Sequence, residues 1–142
     1  MTSIIDGIKN YVAACPLLAD ISKRHINWLE DSPDNYGIYP SGDTVLSTYI
    51  SGSEERLYTF AVEVRKMTDS DVRRLESSGF IEKLQIYFNS APLPLLPAGC
   101  TANELYAENA MLFDLDKSGK KGTFSVQCKM KYDIDYTEVN NT

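Results

Sequence analysis

Reactive and ligating residues are scarce in this sequence. Among 142 residues there is one histidine, His25, and there are three cysteines. Cys15, Cys100 and Cys128 lie far apart and none belongs to a C-x-x-C. A zinc site would need an unusual ligand set, and a disulfide framework has no even complement to build from. The three read as free thiols of a reducing compartment. The eight glycines are scattered, which leaves no glycine-rich phosphate cradle, and no G-x-S-x-G occurs to present a nucleophilic serine. No apolar run approaches the roughly 18–20 residues of a membrane span. The opening M-T-S-I-I-D-G-I-K-N-Y lacks a basic n-region, and Asp6, Lys9 and Asn10 interrupt its apolar residues, so no signal peptide is expected. The chain is expected to stay in the cytosol or in something assembled there. Excess positive charge is missing as well. The 14 Lys and Arg face 20 Asp and Glu, a net charge of −6, which is a poor platform for gripping phosphates. Internal repeats and low-complexity tracts are absent.

What remains is ordinary globular material, 43% apolar and 24% charged. It is long enough to bury a core and short enough to read as one domain over 1–142. Ser3 is placed to cap a helix with Asp6 in its first turn. Ile4, Ile5, Ile8, Tyr11, Val12 and Cys15 form its apolar stripe, and Pro16 ends it, giving a helix over 3–14. The next stretch is less patterned. Residues 26–30 read as a short strand that buries Trp28, and D-S-P-D-N (31–35) as a turn. Residues 36–40 read as a short strand stopped by Pro40, S-G-D (41–43) as a second turn, and 44–50 as a β-branched strand.

The chain is organised around residues 54–89. Tyr58, Phe60, Val62 and Val64 alternate to one side; Leu57, Thr59, Ala61, Glu63 and Arg65 face the other. S-G-S (51–53) is a hairpin signal, so 44–50 and 55–66 should pair antiparallel. The period then changes. Val72, Leu75, Phe80, Leu84 and Phe88 are assigned to the buried face of a helix. Thr68 caps it, Asp69 and Asp71 sit at its electropositive start, and it ends near Ser90. Gly79 inside it marks a close packing point or a kink. A-P-L-P-L-L-P-A-G follows as an extended connection. Leu105, Ala107, Met111, Phe113 and Leu115 share one side of the next strand. In the last strand Phe124, Val126, Cys128, Met130 and Tyr132 oppose Thr123, Ser125, Gln127, Lys129 and Lys131. D-K-S-G-K-K-G turns the chain between the two, and the tail D-Y-T-E-V-N-N-T is expected to fray. The sum is an α+β fold, an antiparallel or mixed sheet with two helices packed on one face.

Each candidate for chemistry has a plainer structural reading. D-L-D-K-S-G (114–119) copies the start of a calcium loop, but its twelfth position is Ser125 and β-alternation flanks it. It is read as a polar hairpin turn in which Gly119 supplies a positive φ. His25, beside Lys23 and Arg24, is read as an exposed loop residue, with no nucleophile or orienting carboxylate in view. The acid pairs Glu54–Glu55 and Asp69–Asp71 have turn and helix-start roles. No catalytic, cofactor-binding or metal-ligating residue is assigned. The nine tyrosines are the informative excess. Amphipathic rings such as Tyr36, Tyr39, Tyr49, Tyr58, Tyr106, Tyr132 and Tyr136 suit sheet faces and protein contacts alike. The weakly charged faces Thr123/Ser125/Gln127 and Leu57/Thr59/Ala61 could be covered by a neighbouring subunit.

Three phrases carry a resemblance: I-I-D-G-I-K-N-Y near the start, S-G-F-I-E-K-L in the long helix, and F-S-V-Q-C-K-M-K-Y near the end. With Y-I-S-G-S-E-E-R-L-Y and L-P-L-L-P-A-G between them, nearly the whole chain resembles the minor capsid proteins of siphophages of Gram-positive bacteria, grouped with tail terminators. The resemblance implies a structural virion protein without enzymatic activity. Such a protein forms a homo-hexameric ring on the last ring of tail-tube protein, stops tube growth and presents the surface that joins the head or neck connector. DNA would pass through its lumen without specific binding, there would be no cofactor and no membrane, and ring contacts would run head to tail. The loops 41–43, 51–53 and 117–121, the last carrying Lys117, Lys120 and Lys121, and the unpaired strand edges are the expected contact elements. A head-side connector or neck protein, or a small ligand-binding domain, stands as the alternative.

Overall fold

The computed structural model describes residues 3–140. The first helix, α1 (Ile4–Ala13), begins as its sequence dictates. The Ser3 hydroxyl accepts from the Asp6 N–H, and the Asp6 carboxylate accepts from the Ser3 N–H at 2.9 Å, a reciprocal capping box. Ile8 and Val12 of its inner stripe are fully buried.

Five strands form one mixed sheet in the order β1-β2-β3-β5-β4. They are β1 (Arg24–Ile26), β2 (Asn35–Thr48), β3 (Glu54–Met67), β4 (Cys100–Leu115) and β5 (Lys121–Ile134). β1 runs parallel to β2; every other pair is antiparallel. β3 and β5 form the spine, in unbroken register from Glu54↔Ile134 to Met67↔Lys121. Their inner face carries Tyr58, Phe60, Val62 and Val64 opposite Phe124, Val126, Cys128, Met130 and Tyr132, all buried. Each large apolar side chain sequestered here contributes on the order of 1.5–3 kcal/mol. α1 and the long helix α2 (Asp71–Ser90) cover this face, where Tyr11 and Phe88 meet at 6.0 Å between ring centroids. The α+β fold, the central hairpin and the clean alternation of β3 and β5 follow the sequence reading.

Several elements depart from it. The expected pair of short strands around a turn at 41–43 is a single strand, β2. It absorbs Pro40, Ser41 and Gly42 in a bulge and carries a second irregularity between Val45 and Ser47. Pro40 lacks an N–H, and a bulge is where a sheet tolerates that. The short strand near Trp28 lies earlier, at Arg24–Ile26, because Asn27 adopts φ 58° and turns the chain. Trp28 is therefore 56% exposed, not buried. Its carbonyl, rather than its ring, packs inward, so close to Gly37 that a Cβ there would sit 2.2 Å from the oxygen. The 31–35 turn is as expected, and buried Asn35 clamps it by accepting from the Glu30 N–H and donating to the Ser32 carbonyl.

Ser70, not Thr68, caps α2. Thr68 is fully buried and its hydroxyl donates to the Gly119 carbonyl at 2.9 Å, tying the helix entry to the β4–β5 turn. Asp71 lies in the first turn of α2, while Asp69 precedes the cap. The buried stripe is Ser77, Ile81, Leu84 and Phe88; Val72 and Leu75 are 66% and 75% exposed. Steps of four, three and four keep one face, whereas the five-residue step from Leu75 to Phe80 rotates off it. A Cβ added at Gly79 would meet nothing within 4 Å, so this glycine is no packing point.

In β4, Leu105 and Ala107 are buried as expected, but Met111, Phe113 and Leu115 are exposed. Between Glu108 and Met111 the strand advances three residues against two on β5, with Asn109 at φ 59°. The extra residue reverses the alternation and sends Met111 to the outer face opposite Ser125. The tail, expected to fray, instead forms the short helix α3 (Tyr136–Asn140) up to its last two residues. Residues 141 and 142 lie outside the described part of the chain.

Candidate assembly surface

The sheet outruns its helices at two corners. Beyond Pro40, β2 leaves the cover of α1, and each residue from Asp43 to Ile50 is exposed. At the opposite edge and opposite end, β4 beyond Ala110 is likewise exposed through Leu115. Each corner carries large apolar side chains in water. Val45, Leu46, Tyr49 and Ile50 occupy the first, and Met111, Leu112, Phe113 and Leu115 the second. Ile50 is completely exposed and Phe113 is 69% exposed. Clusters of this kind on a small protein mark contact surfaces. The 51–53 turn forms as expected, with Gly52 at φ 91° and the Tyr49 N–H donating to the Ser53 carbonyl. The expected turn at 41–43 lies inside β2 and is no loop.

A polar cluster fixes the first corner. Asp43 accepts from the Tyr132 hydroxyl at 3.0 Å and from Arg56 Nε at 3.0 Å. Arg56 Nη1 reaches Glu54 at 2.8 Å, and the Tyr136 hydroxyl donates to the same Glu54 oxygen. These hydrogen bonds hold the Glu54 carboxyl below, and Arg56 above, their ordinary ranges. Burial, followed by the bond to Asp43, pushes the Tyr132 hydroxyl well up. The cluster ties β2, β3, β5 and α3 together where the apolar core stops. Sequence reasoning missed it because Asp43 looked like a turn residue and Tyr132 like core. Only the β2 bulge sets Asp43 opposite Tyr58 on the inner face.

Among the described residues, the two long helices lie on the inner face of the sheet and leave the outer face without one. Yet Thr123 and Ser125, expected to be open to a neighbour, are only 4% and 8% exposed. They stand on an inner strand beside the longer Arg65, Glu63, Asp114 and Met111. Gln127 is exposed and Leu57, Thr59 and Ala61 are half-buried. Ion pairs Lys129–Glu108 (3.0 Å) and Lys131–Glu104 (3.5 Å) rim this face. Desolvation raises the Glu63 carboxyl.

The remaining candidates for chemistry are occupied structurally. His25 is no free loop residue. It lies in β1, its Nε2 stands 2.6 Å from Glu30, and its ring meets Trp28 edge-on. The Asp116 carboxylate is spent on the Ser118 hydroxyl and the Lys120 N–H, closing the turn in which Gly119 has the expected positive φ of 73°. Cys15 and Cys128 are buried and Cys100 half-buried, all three as free thiols. Burial pushes Cys128 up to about 12. Among the described residues, no group of three or more His, Cys, Asp or Glu could hold a metal ion, and no helix is long and apolar enough to cross a membrane. One groove of about 370 Å³ runs between α1, Tyr87 and the proline-rich segment. Its lining includes Gly7, Ala14, Pro92 and Leu93, without converging charged groups. No family model matches the sequence, and no curated protein is significantly similar to it.

Proposed function

We propose that this chain is a ring-forming structural subunit of a siphophage virion, of the tail-terminator kind. It would cap the tail tube, stop its growth and offer the surface that meets the head or neck. The observation that carries the reading is the pair of exposed, apolar strand corners on opposite edges and opposite ends of one sheet. A subunit built that way can meet a copy of itself head to tail, and a heterologous contact that closes by rotation makes a ring. The phrase-level resemblance to siphophage minor capsid proteins supplies the setting. The Asp43, Asp116 and Glu30 carboxylates are bonded to neighbouring side chains or backbone, which suits scaffolding better than turnover. A net charge of −6 also suits a lumen through which DNA slides, since like charge discourages adhesion.

The test is deletion of the gene in its phage, followed by electron microscopy of lysates. Overlong tails without heads are expected, and their length should return to normal when the protein is supplied in trans. Tails of normal length joined to heads in the deletion would sink the proposal. Normal-length tails lacking only heads, with the protein absent from isolated tails, would move it to the head-side connector.

A further inference from the structure

We infer that copies of this chain join edge to edge: residues 111–115 of β4 in one copy pair antiparallel with residues 42–48 of β2 in the next. The choice of a second copy as occupant rests on the ring-subunit reading; the choice of edges rests on backbone accounting.

A strand at the border of a sheet presents unpaired N–H and C=O groups, and folded chains normally cover them. This chain covers both borders in part. On the β2 side, β1 pairs with Tyr36, Gly37 and Ile38 only, and the Asn27 N–H adds a bond to the Ile38 carbonyl. On the β4 side, α2 does the covering. The Asn89 carboxamide accepts from the Ala107 N–H at 2.7 Å and donates to the Ala107 carbonyl at 3.0 Å. Gln85 accepts from the Ala110 N–H at 2.9 Å. Past Ile38 on one border and Ala110 on the other, no strand of the described residues pairs with the outer edge.

The two uncovered runs complement each other in four ways. β2 and β4 point in opposite directions within the sheet, so neighbours in the same orientation meet antiparallel. Bulges at Pro40/Gly42 and Val45/Ser47 on one run, and at Leu112/Asp114 on the other, leave only short regular stretches on both. Short regular stretches limit how far a pairing can run and disfavour open-ended stacking. Each run carries or adjoins four large apolar side chains that are 40% or more exposed. Together these present on the order of 400 Å² a side, about half of what one partner contributes to a standard interface. Charge matches too. The β2 corner is acidic, with Asp43 and Glu54 on Arg56 and Glu55 and Asp133 nearby in the register, while the turn beyond β4 holds Lys117 and Lys120 around Asp116. Because the free runs lie at opposite ends, pairing them staggers the copies, and a closed ring then needs tilted strands, the relation that governs barrels.

The test uses the full chain, with Cys100→Ala as background. Thr44→Cys and Asp114→Cys, both exposed, are made singly and mixed under mild oxidation. Native mass is measured for wild type, Leu46→Lys and Phe113→Lys, alone and on tail tubes from the deleted phage. Intermolecular disulfides are expected in the mixture and not in either single variant. Each lysine variant, melting as wild type does, is expected to associate at least about tenfold more weakly, since an edge lysine blocks strand addition. Disulfides within a single variant, or lysine variants that assemble as wild type does, would overturn the edge assignment and leave the ring reading intact. Wild type that stays monomeric both alone and on tubes would overturn both.

Discussion

Asn89→Ala is the sharpest test of how this fold manages its border. The side chain holds both the N–H and the C=O of Ala107, at 2.7 Å and 3.0 Å, and Ala107 itself is 5% exposed. Truncation leaves both backbone groups without a protein partner where water enters poorly. A typical hydrogen bond contributes about 1 kcal/mol net, and an orphaned buried group costs ~1–3 kcal/mol, so the gross loss is roughly 2–3 kcal/mol. Alanine is the better helix former by about half a kcal/mol, and position 89 lies in the last turn of α2, so the offset is small. The net expectation is about 2 kcal/mol, a fall of roughly 5–8 °C in Tm for a domain of this size. Asn89→Asp should cost nearly as much, because its carboxylate can accept from the N–H but opposes the carbonyl. The assays are urea denaturation followed by circular dichroism, and amide exchange at Ala107. Stability within about 0.5 kcal/mol of wild type, together with unchanged exchange at Ala107, would refute the reasoning.

Other outcomes follow from the same structure. Leu84→Ala should cost about 2–5 kcal/mol, whereas Leu75→Ala, on the exposed side of α2, should stay within about 0.5 kcal/mol by denaturation. Gly79→Ala meets nothing within 4 Å and should stabilise α2 by up to ~1 kcal/mol, while Gly37→Ala drives a Cβ into the Trp28 carbonyl and should impair folding outright, read as soluble yield. Cys128, with an ordinary value of 9.0, and Tyr11, at 10.0, are both pushed up to about 12 by burial, so the folded state keeps protons that the unfolded chain loses. Their contribution is complete below pH 9 and is lost as pH rises from there toward about 12, so urea midpoints should fall across that window. At the acid end, the Ser3 cap holds the Asp6 carboxyl below 3.8. Stability from that cap is present above the ordinary carboxylate range and is lost as pH drops through the lowered value. Asp6→Asn should flatten the acid limb of the pH–stability profile.

Local periodicity was decisive where a segment's neighbours merely accepted what its residues already preferred. β3 and β5 alternate without interruption, and they came out as the central, unbulged pair. Ser3 and Asp6 sit three apart and made their capping box because both partners are within one turn. The α+β class, the hairpin at 51–53 and the positive φ of Gly119 were legible for the same reason. So was the burial of Cys128.

Tertiary context decided the rest, because at each place the deciding partner is remote in sequence. A single extra residue near Asn109, accepted because β5 holds the register, turned Met111 outward. Thr68 looked like a cap and became an anchor for Gly119, fifty-one residues on. Asp43 looked like a turn and became the partner of Tyr132, eighty-nine residues on. The corners proposed for assembly were hidden most completely. A strand edge is free or covered according to what lies beside it, and nothing in the residues of β2 or β4 announces that β1 stops at Ile26 or that Asn89 and Gln85 reach over only as far as Ala110. The sequence by itself thus determined the clean alternation and buried face of β3 and β5, the capped start of α1 and the turns at Gly52 and Gly119, since those depend on spacing along one chain. Only the folded sheet determined which backbone was left without a partner, since that depends on where distant segments end.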